Sequence, residues 1–271
     1  MNTTTRWGAA LLCVTAASLG STAGCATDSP PSSTATAQEA DIPAIPSPDL
    51  YAGSPYLREL RNSLVYGEIW ERPQLSKRDR SLITIAVLQA LAREELSIHV
   101  RRGLDNGLTP EEISEIILHV TFYAGWPTGV QASLTAAEAF EERGISLGEL
   151  ARAPSGTEAS TPGSLSDAYA AVPRLGELRN SLLYGDIWER PILSKRDRSL
   201  ITVAVNQALY VTNELRLHID RALDQNGVTP QEISDVILHV TFYAGWPAAV
   251  NAGRLATAAF EARGVDLSEL Q

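Results

Sequence analysis

Cysteine is almost missing from this chain. The 271 residues hold two, Cys13 and Cys25, both in the first 25 positions. Everything downstream is therefore free of thiols, which excludes a structural disulfide, thiol redox chemistry and a thiolate metal site from the folded part. Positive charge is also in short supply. There are 22 Lys and Arg against 32 Asp and Glu, a formal net charge of -10. An acidic surface argues against nucleic acid or anionic lipid as an electrostatic partner, and leaves room for a small anion in a local basic pocket. No GxGxxG, P-loop, HExxH or Gly-x-Ser-x-Gly motif occurs, so the dinucleotide, phosphate-cradle, zinc-peptidase and serine-hydrolase signatures are absent. No segment shows sustained strand alternation bounded by hairpin signals.

What the chain does have, it has twice. LRNSLVYGEIWERPQLSKRDRSLITIAV, starting at Leu60, returns as LRNSLLYGDIWERPILSKRDRSLITVAV, starting at Leu178. TPEEISEIILHVTFYAGWP, from Thr109, returns as TPQEISDVILHVTFYAGWP, from Thr229. The period is roughly 120 residues, well above the ~20–50 of solenoid arrays, so each copy is large enough to be a small domain. The expected organisation is residues 51–150 as unit 1, 151–166 as a linker rich in Pro, Gly, Ser and Thr, and 167–271 as unit 2.

The first 25 residues read as an export signal. Arg6 supplies a thin positive region, and Trp7 to Leu19 is apolar but too short for a membrane span. Thr22-Ala23-Gly24-Cys25 is similar to a bacterial lipobox, with Cys25 as the acylated residue and Thr22 in place of the usual apolar side chain. The alternative is a soluble periplasmic or secreted protein cut after Ser21-Thr22-Ala23. Residues 26–50 read as a disordered tether. The expected location is the cell envelope, with the membrane touched only through a lipid on Cys25.

Both copies read as helices alone. Pro55 to about Trp70 carries Leu57, Leu60, Leu64 and Ile69 at helical spacing and stops at Pro73. Ser76-Lys77-Arg78-Asp79 opens an apolar helix running to about Leu91. A third helix spans Glu94 to Leu104 and ends at Asn106-Gly107. Thr109-Pro110-Glu111-Glu112 starts a fourth, with Ile113, Ile116, Ile117 and Val120 on one stripe. Gly125-Trp126-Pro127 breaks the run before a last helix. These helices are too apolar to stand alone, so the copies are expected to bury faces against each other or other chains.

All four histidines lie in the repeats. His99 follows Glu95, and His218 follows Glu214, each four residues on and thus on one helix face. A carboxylate that orients an imidazole and raises its pKa makes an acid/base unit; the plain alternative is a surface pair that supports the helix. His119 and His239 sit one turn before Tyr123 and Tyr243. Glu115, His119 and Tyr123 could form a proton path, against a half-buried histidine bonded to its neighbours. Arg80 and Arg198, just inside an apolar helix, could grip a substrate carboxylate or form an interdomain salt bridge. Trp126 and Trp246, with Trp70 and Trp188, are packing anchors or pocket walls. A metal site on Glu95 and His99 lacks further ligands, so no metal is expected.

With these residues laid out, the chain resembles the carboxymuconolactone decarboxylase family of the alkylhydroperoxidase-D-like superfamily. The resemblance rests on Tyr66 to Pro73, Leu75 to Leu82, Glu95-Leu-x-x-His99, Gly107 to Ile113 and Tyr123 to Pro127, with their counterparts in the second copy. It implies an all-α fold, here two tandem alkylhydroperoxidase-D-like helical units packed as a pseudo-twofold pair, and self-association as a trimer of two-unit chains. It implies one of two chemistries. A peroxidase branch uses Cys-x-x-Cys ahead of the histidine, and those positions hold Ala92 and Glu95 in one copy, Val211 and Glu214 in the other. The thiols are missing, which leaves the decarboxylase branch, with no cofactor. The expected substrate is a small carboxylated lactone or related unsaturated acid. Glu95, His99, Glu214 and His218 are expected to be catalytic. Arg80, Arg198, Trp126, Trp246, His119 and His239 are expected to bind substrate. A non-catalytic ligand-binding envelope protein of the same fold is the alternative. Because each copy carries its own Glu and His, two similar sites are expected rather than one shared by unlike halves.

Overall fold

A computed structural model describes residues 50–150 and 169–270. The signal segment with Cys25, the tether as far as residue 49 and the linker 151–166 lie outside the described residues. Among the described residues there are helices and no strands.

The first half contains α1 (Pro55–Leu60), α2 (Lys77–Ala90), α3 (Leu96–Asp105), α4 (Pro110–Ala124) and α5 (Trp126–Glu142). The second repeats them as α6 (Pro173–Leu178), α7 (Lys195–Ala208), α8 (Thr212–Gln225), α9 (Pro230–Ala244) and α10 (Trp246–Glu261). The ends follow the local chemistry. Ser76 and Ser194 cap α2 and α7 by accepting from the N–H of Asp79 and Asp197 at 3.0 Å. Thr109 with Glu112, and Thr229 with Glu232, form reciprocal capping boxes on α4 and α9. Gly125 and Gly245, at φ 93° and 90°, end α4 and α9 and start α5 and α10. An L side chain rarely adopts that backbone, which is why the chain turns there.

The segment from Pro55 to Trp70 departs from a single α-helix. α1 is followed by a turn of π-helix, Arg61–Tyr66, and a short 3-10 turn, Ile69–Glu71. The same sequence of turns occurs at Arg179–Tyr184 and Ile187–Glu189. Gly67 and Gly185 sit so close to the carbonyls of Ser63 and Ser181 that a Cβ would collide with them. Helical periodicity carries no trace of this wider turn, because a π-turn changes the phase of the side chains and not their composition. Its effect is to bury Trp70 and Trp188.

α2 and α7 pack on each other at the centre of the molecule, and each also touches the other half's fourth helix: α2 meets α9, and α7 meets α4. Both are buried on nearly every face from Asp79 to Ala90 and from Asp197 to Gln207, their polar side chains Arg80, Thr84, Arg198 and Thr202 included. The buried apolar residues of the two halves form one cluster. Arg78 reaches Asp197 at 3.1 Å, and Arg196 reaches Asp79 at 3.0 Å. Such reciprocity, residue i to j and j to i, is what an approximate twofold axis produces.

Candidate active site

The functional side chains gather where the halves meet. In the first cluster Trp70 comes from the 3-10 turn, His99 and Arg102 from α3, Tyr66 from the π-turn, and His239 and Tyr243 from α9. The Trp70 ring stacks on His99, with centroids 6.0 Å apart, and meets His239 edge-on at 5.1 Å. Tyr243 stands edge-on to His99 at 5.5 Å and accepts the Trp70 indole N–H at 2.9 Å. Arg102 lies over the rings of Tyr66, at 4.5 Å, and Trp70, at 5.5 Å, and donates to the Tyr66 hydroxyl. The second cluster repeats this with Trp188, His218, Tyr184 and Arg221 from the second half and His119 and Tyr123 from the first.

There are thus two similar clusters, and each draws on both copies, which the repeat pattern alone did not show. The reason is the contact of α2 with α9 and of α7 with α4. Helix periodicity predicts which face is buried and says nothing about which helix covers it.

A cleft of about 630 Å³ opens onto the first cluster, lined among others by Leu88, Ala92, Arg93, Glu95, His99 and Tyr243. His99 is buried, and its Nδ1 has no hydrogen-bond partner. Glu95 is exposed at the start of α3, and the cleft brings it and His99 to a common wall. It does not raise the imidazole's proton affinity. Burial first, then the charge of Arg102, lowers the His99 pKa to about 4. Burial and Arg221 likewise lower that of His218 to about 3. The raised pKa expected from the Glu-x-x-x-His spacing is thus overturned: desolvation disfavours the cation, and the nearest strong charge has the same sign. Both imidazoles are neutral at pH 7. Burial pushes the phenols of Tyr243 and Tyr123 upward, so both remain protonated donors.

Beneath each cluster lies a buried polar layer. Arg80 and Arg198 are 0% exposed. Arg80 donates to Asp235 at 2.5 Å and to the Arg72 carbonyl at 2.7 Å; Arg198 donates to Glu115 and to the Arg190 carbonyl, both at 2.8 Å. The two arginines thus make the interdomain salt bridge and not an open grip on a ligand, since their charge is already matched where no solvent reaches. His239 Nδ1 faces Arg80 Nη1 at 3.4 Å, and its Nε2 lies 2.8 Å from Thr84 Oγ1. The Thr84 hydroxyl donates to the Arg80 carbonyl at 2.7 Å. An arginine can only donate, so Nδ1 accepts and Nε2 carries the proton. His119 repeats this pattern with Arg198 and Thr202. Burial, then the adjacent arginine, holds both imidazoles well below their usual pKa. The Glu115, His119 and Tyr123 ladder consequently spends its groups across the interface, on Arg198 with Arg190, on Thr202 and on Trp188.

Trp126 and Trp246 stand 69% exposed at the start of α5 and α10 and do not line this cleft. Among the described residues no group of three or more His, Cys, Asp or Glu gathers to hold a metal ion. Arg102 and Arg221 escaped the sequence reading. Their signal was a His-x-x-Arg spacing shared by both copies, His99 to Arg102 and His218 to Arg221, which sets the pair on one helix face.

The model of the carboxymuconolactone decarboxylase family matches residues 55–139 and again 173–258. The chain belongs to the carboxymuconolactone decarboxylase family. The two matches confirm a tandem repeat of the family unit, and they cover the helices that build both clusters. Among curated relatives, a 4-carboxymuconolactone decarboxylase of Acinetobacter baylyi is 49% identical over 81 residues, which is 30% of this chain and 60% of that protein. Nitrosuccinic acid decarboxylase npaB of Metarhizium robertsii is 36% identical over 78 residues, 28% of this chain and 54% of that protein. The aligned part thus spans less than two thirds of either relative. Both relatives are named as decarboxylases, which supports a decarboxylase-like family.

Proposed function

We propose that the chain is a carboxy-lyase that removes CO2 from a small carboxylated lactone or a related unsaturated acid. The observation that carries this reading is the cleft in which a neutral His99, its buried Nδ1 without a hydrogen-bond partner, stands beside a protonated Tyr243. The names of the relatives support it. Breaking the bond to the carboxylate leaves an electron pair on carbon, and a neighbouring carbonyl takes that charge as an enolate. In this reading the phenol of Tyr243 and an imidazole N–H of His99 donate to the enolate oxygen, where donors in a dry site act most strongly. Arg102, three residues beyond His99, adds a positive field, and Arg93 on the cleft wall attracts the substrate carboxylate. Glu95, exposed on the same wall, passes a solvent proton inward to the carbon.

The test is incubation of the purified chain with 4-carboxymuconolactone, following its ultraviolet absorbance and released CO2. Turnover supports the reading. A ligand-induced rise in melting temperature without CO2 supports the non-catalytic, ligand-binding alternative.

Two further expectations stay attached to this proposal. Export with a lipid on Cys25 predicts that palmitate label enters the expressed chain and is lost in Cys25→Ser. Self-association as a trimer is favoured by exposed apolar side chains, including Tyr56, Leu57, Trp126, Leu134 and Trp246.

A further inference from the structure

Away from the histidine clusters, a second kind of cavity repeats between the halves. The first, about 230 Å³, lies between α4, α5 and the 3-10 turn Leu147–Glu149, with Ser133, Ala137, Phe140 and Leu147 in its wall. The other, about 190 Å³, has the counterparts Gly253, Thr257, Phe260 and Leu267. An apolar cavity of roughly 150 Å³ takes a benzene ring, so each has room for an indole.

The helix faces that open onto these cavities also carry an indole. Trp126, Val130, Ser133 and Ala137 recur at i, i+4, i+7 and i+11 and share one face of α5; Trp246, Val250, Gly253 and Thr257 do the same on α10. Trp126 and Trp246 are each 69% exposed, Val130 51% and Val250 43%. The ring and the cavity of one face lie roughly 13 Å apart along the helix axis, so a tryptophan cannot fill the cavity on its own helix. A second copy brings both parts in reverse order. With α5 antiparallel to α10 of another chain and Val130 level with Val250, a single register sets Trp126 against Gly253 and Thr257, and Trp246 against Ser133 and Ala137.

Charge selects which faces meet. α5 exposes Glu138 and Glu141, while α10 exposes Arg254 and Glu261. Two α5 faces would gather carboxylates with no cation. An α5 face on an α10 face brings Arg254 level with the Trp126 ring, where a cation is attracted to the π-face. That pairing also uses both faces of every copy with one repeated contact, as heterologous rings do.

We propose that α5 of one copy docks antiparallel on α10 of the next, each first-turn tryptophan filling the cavity of the facing helix. The proposal specifies the surface behind the expected self-association and is independent of the carboxy-lyase reading, since its test needs no substrate.

Two full-length variants each disable one face. Trp126→Ala with Ala137→Phe removes the ring and fills the cavity of α5; Trp246→Ala with Thr257→Phe does so for α10. By light scattering, each variant alone is expected to show the mass of one chain, and their equimolar mixture the mass of two, because one intact α5 meets one intact α10. The single substitutions Trp126→Ala and Trp246→Ala, on exposed residues, keep the question answerable if a filled cavity prevents folding. Each alone should raise the dissociation constant of the contact about thirtyfold or more, as loss of a buried aromatic anchor does, and mixing the two should restore a tighter contact. Pairing by either double variant alone, a mixture that stays at one chain, or variants that keep the parent's mass overturns the proposal and leaves the trimer expectation open. A monomeric parent overturns both.

Discussion

The indole N–H of Trp70 donates to the phenol oxygen of Tyr243 at 2.9 Å, across 173 residues of sequence. One partner belongs to the first repeat and the other to the second. Trp188 donates in the same way to the Tyr123 oxygen at 2.9 Å, with the two repeats exchanged. The bond fixes the phenol, whose hydroxyl also meets the Thr84 side chain, and Tyr123 likewise meets Thr202.

Replacing Trp70 by phenylalanine keeps most of the ring and removes only the donor. The expected loss of stability is about 1 kcal/mol, the usual net worth of a hydrogen bond. Turnover in the first cluster should fall further than stability implies, since the phenol loses its orientation. Urea denaturation alongside CO2 release separates the two effects. An unchanged rate in the Trp70→Phe, Trp188→Phe double variant contradicts the positioning role.

The neutral imidazoles make the histidines testable in pairs. A chain carrying His99→Gln and His218→Gln should lose about a hundredfold or more of its decarboxylation rate, the usual worth of a donor aimed at the developing oxyanion. Either single substitution should leave roughly half the rate where both clusters turn over. A double variant within twofold of the parent excludes both residues from the chemistry.

Stability should depend on pH in a definite direction. The ordinary histidine value is 6.5, and burial lowers His99 to about 4 and His218 to about 3, with His119 and His239 also lowered. Between the folded and unfolded values the unfolded chain binds more protons. The histidine contribution to stability is thus complete above about pH 6.5 and is lost as pH falls through 4 towards 3. Melting temperatures between pH 7.5 and 4.5 should decline toward the acid side. The decline should be smaller in the His99→Gln, His218→Gln variant, and an equal decline shows that the titration lies elsewhere.

Arg80 and Asp235 form a wholly buried pair. Removing one partner, as in Arg80→Met, leaves an incompletely matched carboxylate and should cost about 3–5 kcal/mol. Replacing both, with Asp235→Leu added, should recover part of that loss, because the buried charge goes as well. The midpoint of urea unfolding measures each step. A double variant less stable than the single shows that the pair itself outweighs its desolvation.

The outward-facing tryptophans give a test of assembly. Trp126→Glu with Trp246→Glu places charge on two residues that are 69% exposed. If they lie in the contact between chains, the molar mass by light scattering should fall from that of a trimer toward one chain. A monomeric parent at micromolar concentration contradicts the trimer.

Several elements could be read from single residues. Thr109 with Pro110 and Glu112, and Ser76 with Asp79, start their helices as expected, because a cap is a contact between residues three apart. Gly125 and Gly245 end theirs for an equally local reason. The π-turn at Arg61–Tyr66 was not legible, since a wider turn shifts the phase of the side chains without changing their composition. The residue types at the site were visible and the direction of their titration was not. Glu95 and His99 share a helix face, yet burial against Trp70 and the charge of Arg102 govern the imidazole.

The sequence by itself determined the helices, the duplication and the absence of thiol chemistry. Each of these depends on residues within a few positions of one another, or on composition. The tertiary structure decided which histidine meets which tryptophan, where the charges of Arg80 and Arg198 go, and that each cluster belongs to both repeats. Those outcomes depend on α2 lying against α9 and α7 against α4, and the apolar stripe that drives such packing is the same whichever helix covers it.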